Sequence, residues 1–242
     1  MREIPILFNS EMVNALLDGR KTQTRRIVKP QPEMDIKAIQ KVITLDGKNR
    51  DGFFCAGDDY GKAFFCPYGQ PGDLIWVREG FTLDHLDHNF PHYRADMINP
   101  SDPPPKPHKW KPSIHMPKAI ARIWLQVKKI ELERLQQITD QDVIDEGIAA
   151  FKCVPGDGYP SPLYKHYMST SQRETWIPDP LISFQSLWQS IHGPDAWDAN
   201  PWVWVVHFDV ISTTGKPKSW QGKQLRVDEQ ATELSNQQTH TS

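Results

Sequence analysis

A chain of 242 residues with 28 Lys and Arg against 30 Asp and Glu has room for one good-sized core, and it carries no global field to draw in a polyanion. Its three cysteines argue against a disulfide framework and for a reducing compartment. No apolar run approaches a membrane span and Met1-Arg2-Glu3-Ile4 is not a secretory signal, so a cytoplasmic protein with no membrane partner is expected.

Ile4 to Phe8 reads as a strand. It leads into a helix capped by Asn9 or Ser10, with Met12, Val13, Leu16 and Leu17 at helical spacing and Gly19 as its stop. Arg20, Lys21, Thr22, Gln23, Thr24, Arg25 and Arg26 follow at once, and Lys29-Pro30-Gln31-Pro32 ends that run. Residues from about 30 to 66 read as an insertion with a hairpin near Asp46-Gly47 and Asp51-Gly52. Pro67 to Asp73 turns into a second strand, Leu74 to Glu79, apolar enough to be buried on both faces.

A second insertion, about 82–118, holds His85, His88, His92 and His108 at irregular spacing, and reads as a surface loop. Cys55 and Cys66 are not at ribbon spacing and no His completes a ligand pair, so no metal and no cofactor is expected. Ala119 to Leu135 resumes β character. Thr139 then caps a short acidic-first-turn helix that ends at Gly147. A third insertion spans about 149–180. Pro180 opens a helix with Leu181, Phe184, Leu187, Trp188 and Ile191 on one face, and Gly193 stops it. Pro201 to Val210 is the last and strongest strand, and 214–242 reads as a disordered tail. The order predicts an α+β domain over 1–213, built on a small mixed sheet or barrel.

Gly19 to Arg26, Pro71 to Glu79, Leu135 to Thr139 with Asp145-Glu146-Gly147, and the tryptophan-rich final strand together resemble ASCH-domain proteins of the PUA-like superfamily, in particular the longer phage and prophage members. The resemblance implies a small mixed β-barrel flanked by helices, with a cleft for RNA or a modified base. Among the small bacterial members is an amidohydrolase that deacylates N4-acetylcytidine with a lysine, a threonine and a glutamate. Its Gly-Arg-Lys-Thr-x-Thr-x-Arg motif is similar to the stretch here, which puts those roles on Lys21, Thr24 and Glu146. Many members carry an acid where Thr24 stands, so this chain departs from them toward the hydrolase pattern.

Chemistry gives the same residues roles of their own. A threonine hydroxyl needs a base to take its proton, and a lysine serves only if burial or neighbouring cations such as Arg20, Arg25 and Arg26 lower its pKa. Glu146, in the last turn of its helix, faces an unfavourable dipole and should have a partner elsewhere. Lys21 and Thr24 point to opposite faces of a regular strand, so they converge only if the chain turns between them. The plainer reading is a structural Lys21–Glu146 ion pair with Thr24 in the sheet.

Arg25, Arg26, Lys29 and Arg78 are candidate phosphate ligands, or else a solvated face. Trp76, Trp202 and Trp204 are candidate stacking surfaces, or else core. Tyr68 is a candidate cleft wall, or else a lock on its turn. Two functions remain open: an amidohydrolase acting on a modified nucleoside, or a non-catalytic RNA-binding module, with a ribonuclease as a third.

Overall fold

The computed structural model describes residues 1–32, 36–43, 49–55, 65–83, 90–97, 109–153, 156, 158, 161–168 and 175–217. Strand β1 (Glu3–Leu7) runs into helix α1 (Ser10–Leu17), which returns the chain to strand β2 (Gln23–Ile27). The Asn9 side chain caps α1 by accepting from the Met12 amide at 2.8 Å. Gly19 takes φ +71, a left-handed turn that a side chain would strain.

The first insertion carries a hairpin of β3 (Ile36–Ile43) and β4 (Asn49–Cys55). Asp51-Gly52 lies inside β4, opposite Lys41 and Gln40, so strand pairing overrides its local turn preference; Asp46-Gly47 lies outside the described residues. Next come β5 (Leu74–Arg78), β6 (Phe81–Leu83), β7 (Pro91–Tyr93) and the long β8 (Trp124–Arg134). Of the four histidines expected in a loop here, His92 sits in β7, and the other three lie outside the described residues.

Helix α2 (Asp140–Asp145) starts with a reciprocal cap between Thr139 and Asp142. The third insertion is more regular than its composition suggests: β9 (Ala150–Phe151), β10 (Leu163–His166) and β11 (Thr175–Ile177) form a small antiparallel sheet. Helix α3 (Pro180–His192) begins with Asp179 as cap and Pro180 in its first turn, and β12 (Trp202–Ser212) completes the fold. Of the expected tail, 218–242 lies outside the described residues.

The main sheet has the order β1-β5-β8-β12-β2, parallel between β1 and β5 and antiparallel elsewhere. The sheet is not closed into a barrel. Helix α1 carries the chain from one edge strand to the other, and no ladder joins those edges. What reaches across is a side chain, the Arg26 guanidinium, which donates to the Leu7 carbonyl at 3.1 Å.

Residues 202–206 of β12 are buried on both sides, as a continuous apolar run dictates. Trp204, Val206 and Phe208 join Ile6, Phe8, Val13, Leu16, Ile75, Val77 and Leu125 in one core. Val203 and Val205 face the other way, packing with Leu135, Val143, Ile148, Phe184 and Trp188 under α2 and α3. Trp76, Trp124, Trp188, Trp197, Trp202 and Trp204 are all buried, so most of the indole surface serves packing. No described helix is long and apolar enough to cross a membrane.

Candidate functional site

The period of two along β2 decides the site. Gln23 and Arg25 point toward α2 and its exit, while Thr24 and Arg26 point to the opposite face. Lys21, just ahead of the strand, shares the first side. Its ammonium donates to the Glu146 carboxylate at 2.8 Å and to the Glu146 carbonyl at 2.8 Å, and the lysine is 1% exposed. Glu146 is the C-cap of α2. The partner that its position called for is therefore Lys21, which cancels the charge that the helix dipole disfavours.

Gly147 makes this pairing possible. It adopts φ +81, and a Cβ there would stand 2.8 Å from the Cβ of Lys21 and 2.8 Å from that of Ala15. Only a bare backbone lets the end of α2 lie against α1 and the start of β2.

Arg25 extends the cluster. It reaches over the valines of β12 to donate to Glu133 Oε1 from Nε at 3.0 Å and from Nη2 at 2.7 Å. Nη2 also lies 3.5 Å from Asp142, and Nη1 lies 3.4 Å from Glu146 Oε1. That last contact is long, so Oε1 keeps most of its capacity to accept. Asp142 is held down to about 2: burial pushes it up, but donation from Thr139 and Gln23 and the charge of Arg25 outweigh it. Burial draws the Lys21 ammonium below the usual lysine range, against the pull of Glu146.

A cavity of about 500 Å³ opens over these groups. Arg20, Lys21, Arg25, Arg26, Glu146 and Glu11 supply its charged lining, and Asn9, Asn14 and Ser113 add neutral polar groups. The walls are Leu7 and Phe8 from the end of β1, Met12 from α1, Tyr167, and Phe184, Leu187, Trp188, Ile191 and His192 from α3. The cavity thus lies where the two free sheet edges approach. An apolar hollow of this size with a few convergent polar groups has the dimensions of a small-molecule site.

The sequence-derived residues separate accordingly. Lys21 and Glu146 are joined, and Arg20, Arg25 and Arg26 line the same cavity. Thr24 is fully buried beside it, does not line it, and has its hydroxyl oxygen occupied by a hydrogen bond from Arg26 Nη1 at 2.9 Å. No hydrogen bond among the described residues links Thr24 to Lys21 or Glu146. The opposed strand faces are the reason.

Tyr68 packs on the core near Arg26, without lining the cavity. Trp76 is buried in a separate cluster with Phe81 and Trp124, and Arg78 stacks on its ring at 4.7 Å, away from the cavity lining. Phe8, Tyr167, Trp188 and His192 line the cavity, and Glu133 anchors Arg25 beneath it; none was singled out from sequence. The apolar stripe of α3 was the available signal, but it reads equally as core. Among the described residues, no group of His, Cys, Asp and Glu is arranged to hold a metal. Compared with protein-family models, curated proteins and solved structures, the chain matches none.

Proposed function

We propose that this chain is a PUA-like module of the ASCH type whose cavity receives a modified nucleobase, free or in RNA. The observation that carries the reading is the Glu146 carboxylate, which lines the cavity and is anchored through Oε2 by Lys21 while Oε1 has only the long contact to Arg25. A carboxylate fixed in this way accepts a hydrogen bond from the exocyclic amino or amide N–H of a cytosine-like base. Phe8 and the Trp188–His192 pair, with ring centroids 4.4 Å apart, supply apolar and aromatic walls for its faces.

Burial of Lys21 favours a second step, hydrolysis of an N4-acyl amide on that base. Neutral Lys21 takes the Thr24 proton, Oγ1 bonds to the acyl carbon, and the C–N bond breaks as the same proton passes to the leaving nitrogen. Water then hydrolyses the threonyl ester. This route requires Arg26 to release Thr24 and the strand to bring Oγ1 into the cavity.

Titration calorimetry with cytidine and N4-acetylcytidine, together with the loss of N4-acetylcytidine absorbance over time, tests both parts. Binding that Glu146→Ala abolishes supports the base site. Turnover lost in Thr24→Ala adds the hydrolase. Binding without turnover leaves a reader, and no binding by either nucleoside or by single-stranded RNA sinks the reading. Cleavage of labelled RNA replaces it with a ribonuclease.

A further inference from the structure

The cations around the cavity are not equivalent. Lys21 is matched by Glu146, Arg20 by Asp18 at 2.9 Å, and Arg25 by Glu133, Asp142 and Glu146. Arg26 has no carboxylate at ion-pair distance among the described residues. Its hydrogen bonds go to neutral oxygens: Thr24 Oγ1 at 2.9 Å, the Arg25 carbonyl at 3.0 Å and the Leu7 carbonyl at 3.1 Å. Three of the five guanidinium N–H groups are so matched, leaving Nε and one N–H of Nη2 for something in the cavity.

The surroundings accentuate the imbalance. Phe8 lies under the guanidinium, 5.2 Å from ring centroid to Cζ. His192 lines the same cavity, and Lys29 follows Arg26 by three positions on the exposed side of the chain. Burial, and then the charges of Arg26 and Lys29, push the His192 imidazole below its usual range, while no carboxylate acts to raise it. Burial likewise lowers the Arg26 guanidinium, against the charge of Glu146, which acts on it from beyond ion-pair distance. A cation partly removed from water, with spare donors and basic neighbours, is stabilised by a bound anion.

We propose that this corner of the cavity holds the phosphate of a nucleoside monophosphate, with Arg26 as the donor fork and His192 and Lys29 supplying further positive charge. The ligand is then a nucleotide, not a free nucleoside. The inference rests on the nucleobase reading of the same cavity. A separate anchor at each end fixes the ligand: the base edge at Glu146 and the phosphate at Arg26. Arg25, placed by sequence among the phosphate candidates, is excluded from that role by its own carboxylates.

The test titrates the wild-type protein with N4-acetylcytidine, with its 5′- and 3′-monophosphates, and with inorganic phosphate. At least one monophosphate should bind about tenfold tighter than the nucleoside, with the advantage shrinking as salt is raised. Arg26→Gln should bring the ratio close to one. Because Arg26 also ties β2 to Leu7 and its loss could unfold the protein, Lys29→Ala and His192→Ala provide second variants, each lowering the ratio about two- to fivefold. Equal binding of nucleoside and both monophosphates overturns the phosphate site and leaves the base site standing. Binding of inorganic phosphate with no binding of any nucleoside or nucleotide overturns the nucleotide proposal together with the base reading. The same holds if none of them binds.

Discussion

Among the described residues, Asp73, Glu79 and Glu146 are carboxylates taken out of water and matched with cations, and the contrast lies between Glu146 beneath the cavity and Glu79 just after β5. Glu79 is gripped at both oxygens by Arg122, at 2.8 and 2.9 Å, and Arg122 completes itself on Asp96 and on the face of Tyr93, 4.0 Å away. Neither Glu79 nor Arg122 lines the cavity. Glu146 is matched at one oxygen by Lys21 and only loosely at the other. A rigid planar fork saturates its partner, whereas a point-charge ammonium leaves the second oxygen available. Burial and pairing are common to both clusters, so neither marks a site; incomplete pairing facing a hollow is what distinguishes Glu146.

Removing each carboxylate tests that difference most strongly. Glu146→Ala strands a buried Lys21 and should lower the unfolding free energy by about 3–5 kcal/mol in denaturant titration. Glu79→Ala should cost less, because Arg122 keeps Asp96 and is partly exposed. At a temperature where both variants are folded, ligand binding should vanish in Glu146→Ala and persist in Glu79→Ala. Equal loss of binding in the two would erase the distinction.

The glycines that follow these carboxylates sharpen it. An Ala at 147 meets two Cβ atoms at 2.8 Å in a left-handed backbone, whereas an Ala at 80 meets chiefly the Arg94 side chain at 3.3 Å. Gly147→Ala should cost about 1–3 kcal/mol for overpacking, with ~1–2 more for the backbone. It should also displace Glu146 and weaken binding. Gly80→Ala should cost about 1 kcal/mol or less by the same measurement and leave binding alone.

Much of this was legible before the structure. Asn9, Gly19, Thr139, Gly147, Pro180 and Gly193 punctuate helices through local backbone chemistry, and local chemistry is what a sequence displays. The apolar runs 74–77 and 202–206 are buried on both faces for the same reason. The dipole argument at Glu146 pointed to a remote partner, and Lys21 supplies it. Thr24 is different: alternation along β2 warned that it would face away from Lys21, and the strand is regular enough that it does. Glu133 and Asp142 could not be read as anchors of Arg25, because that contact depends on β2 and β8 lying either side of β12. Sheet order is a long-range property. That the main sheet stays open where a barrel was expected has the same origin, since closure depends on whether two edge strands more than a dozen residues apart in sequence pair. Trp188 and His192 were hidden differently, since one face of α3 both packs on β12 and lines the cavity.

The smallest effect concerns acid. Asp142 titrates at about 2 in the folded protein against an ordinary value of 3.8, so its contribution to stability is complete above about pH 4 and is lost as pH falls through the folded value. Glu79 has the opposite sign: burial raises its pKa despite Arg122, so its ionised form is disfavoured by folding and its contribution grows as pH falls. Asp142→Asn should therefore flatten the fall of stability between about pH 4 and 2, and Glu79→Gln should not. Thr139→Ala removes the cap and the hydroxyl that donates to Asp142 at 2.7 Å, leaving the Thr139 amide as a donor at 3.0 Å. It should cost about 1 kcal/mol at neutral pH and soften the same acid slope only in part. Acid unfolding followed by circular dichroism in the three variants ranks them. If the slope survives in Asp142→Asn but disappears in Glu79→Gln, the acid response belongs to the saturated cluster and not to the network that carries Arg25.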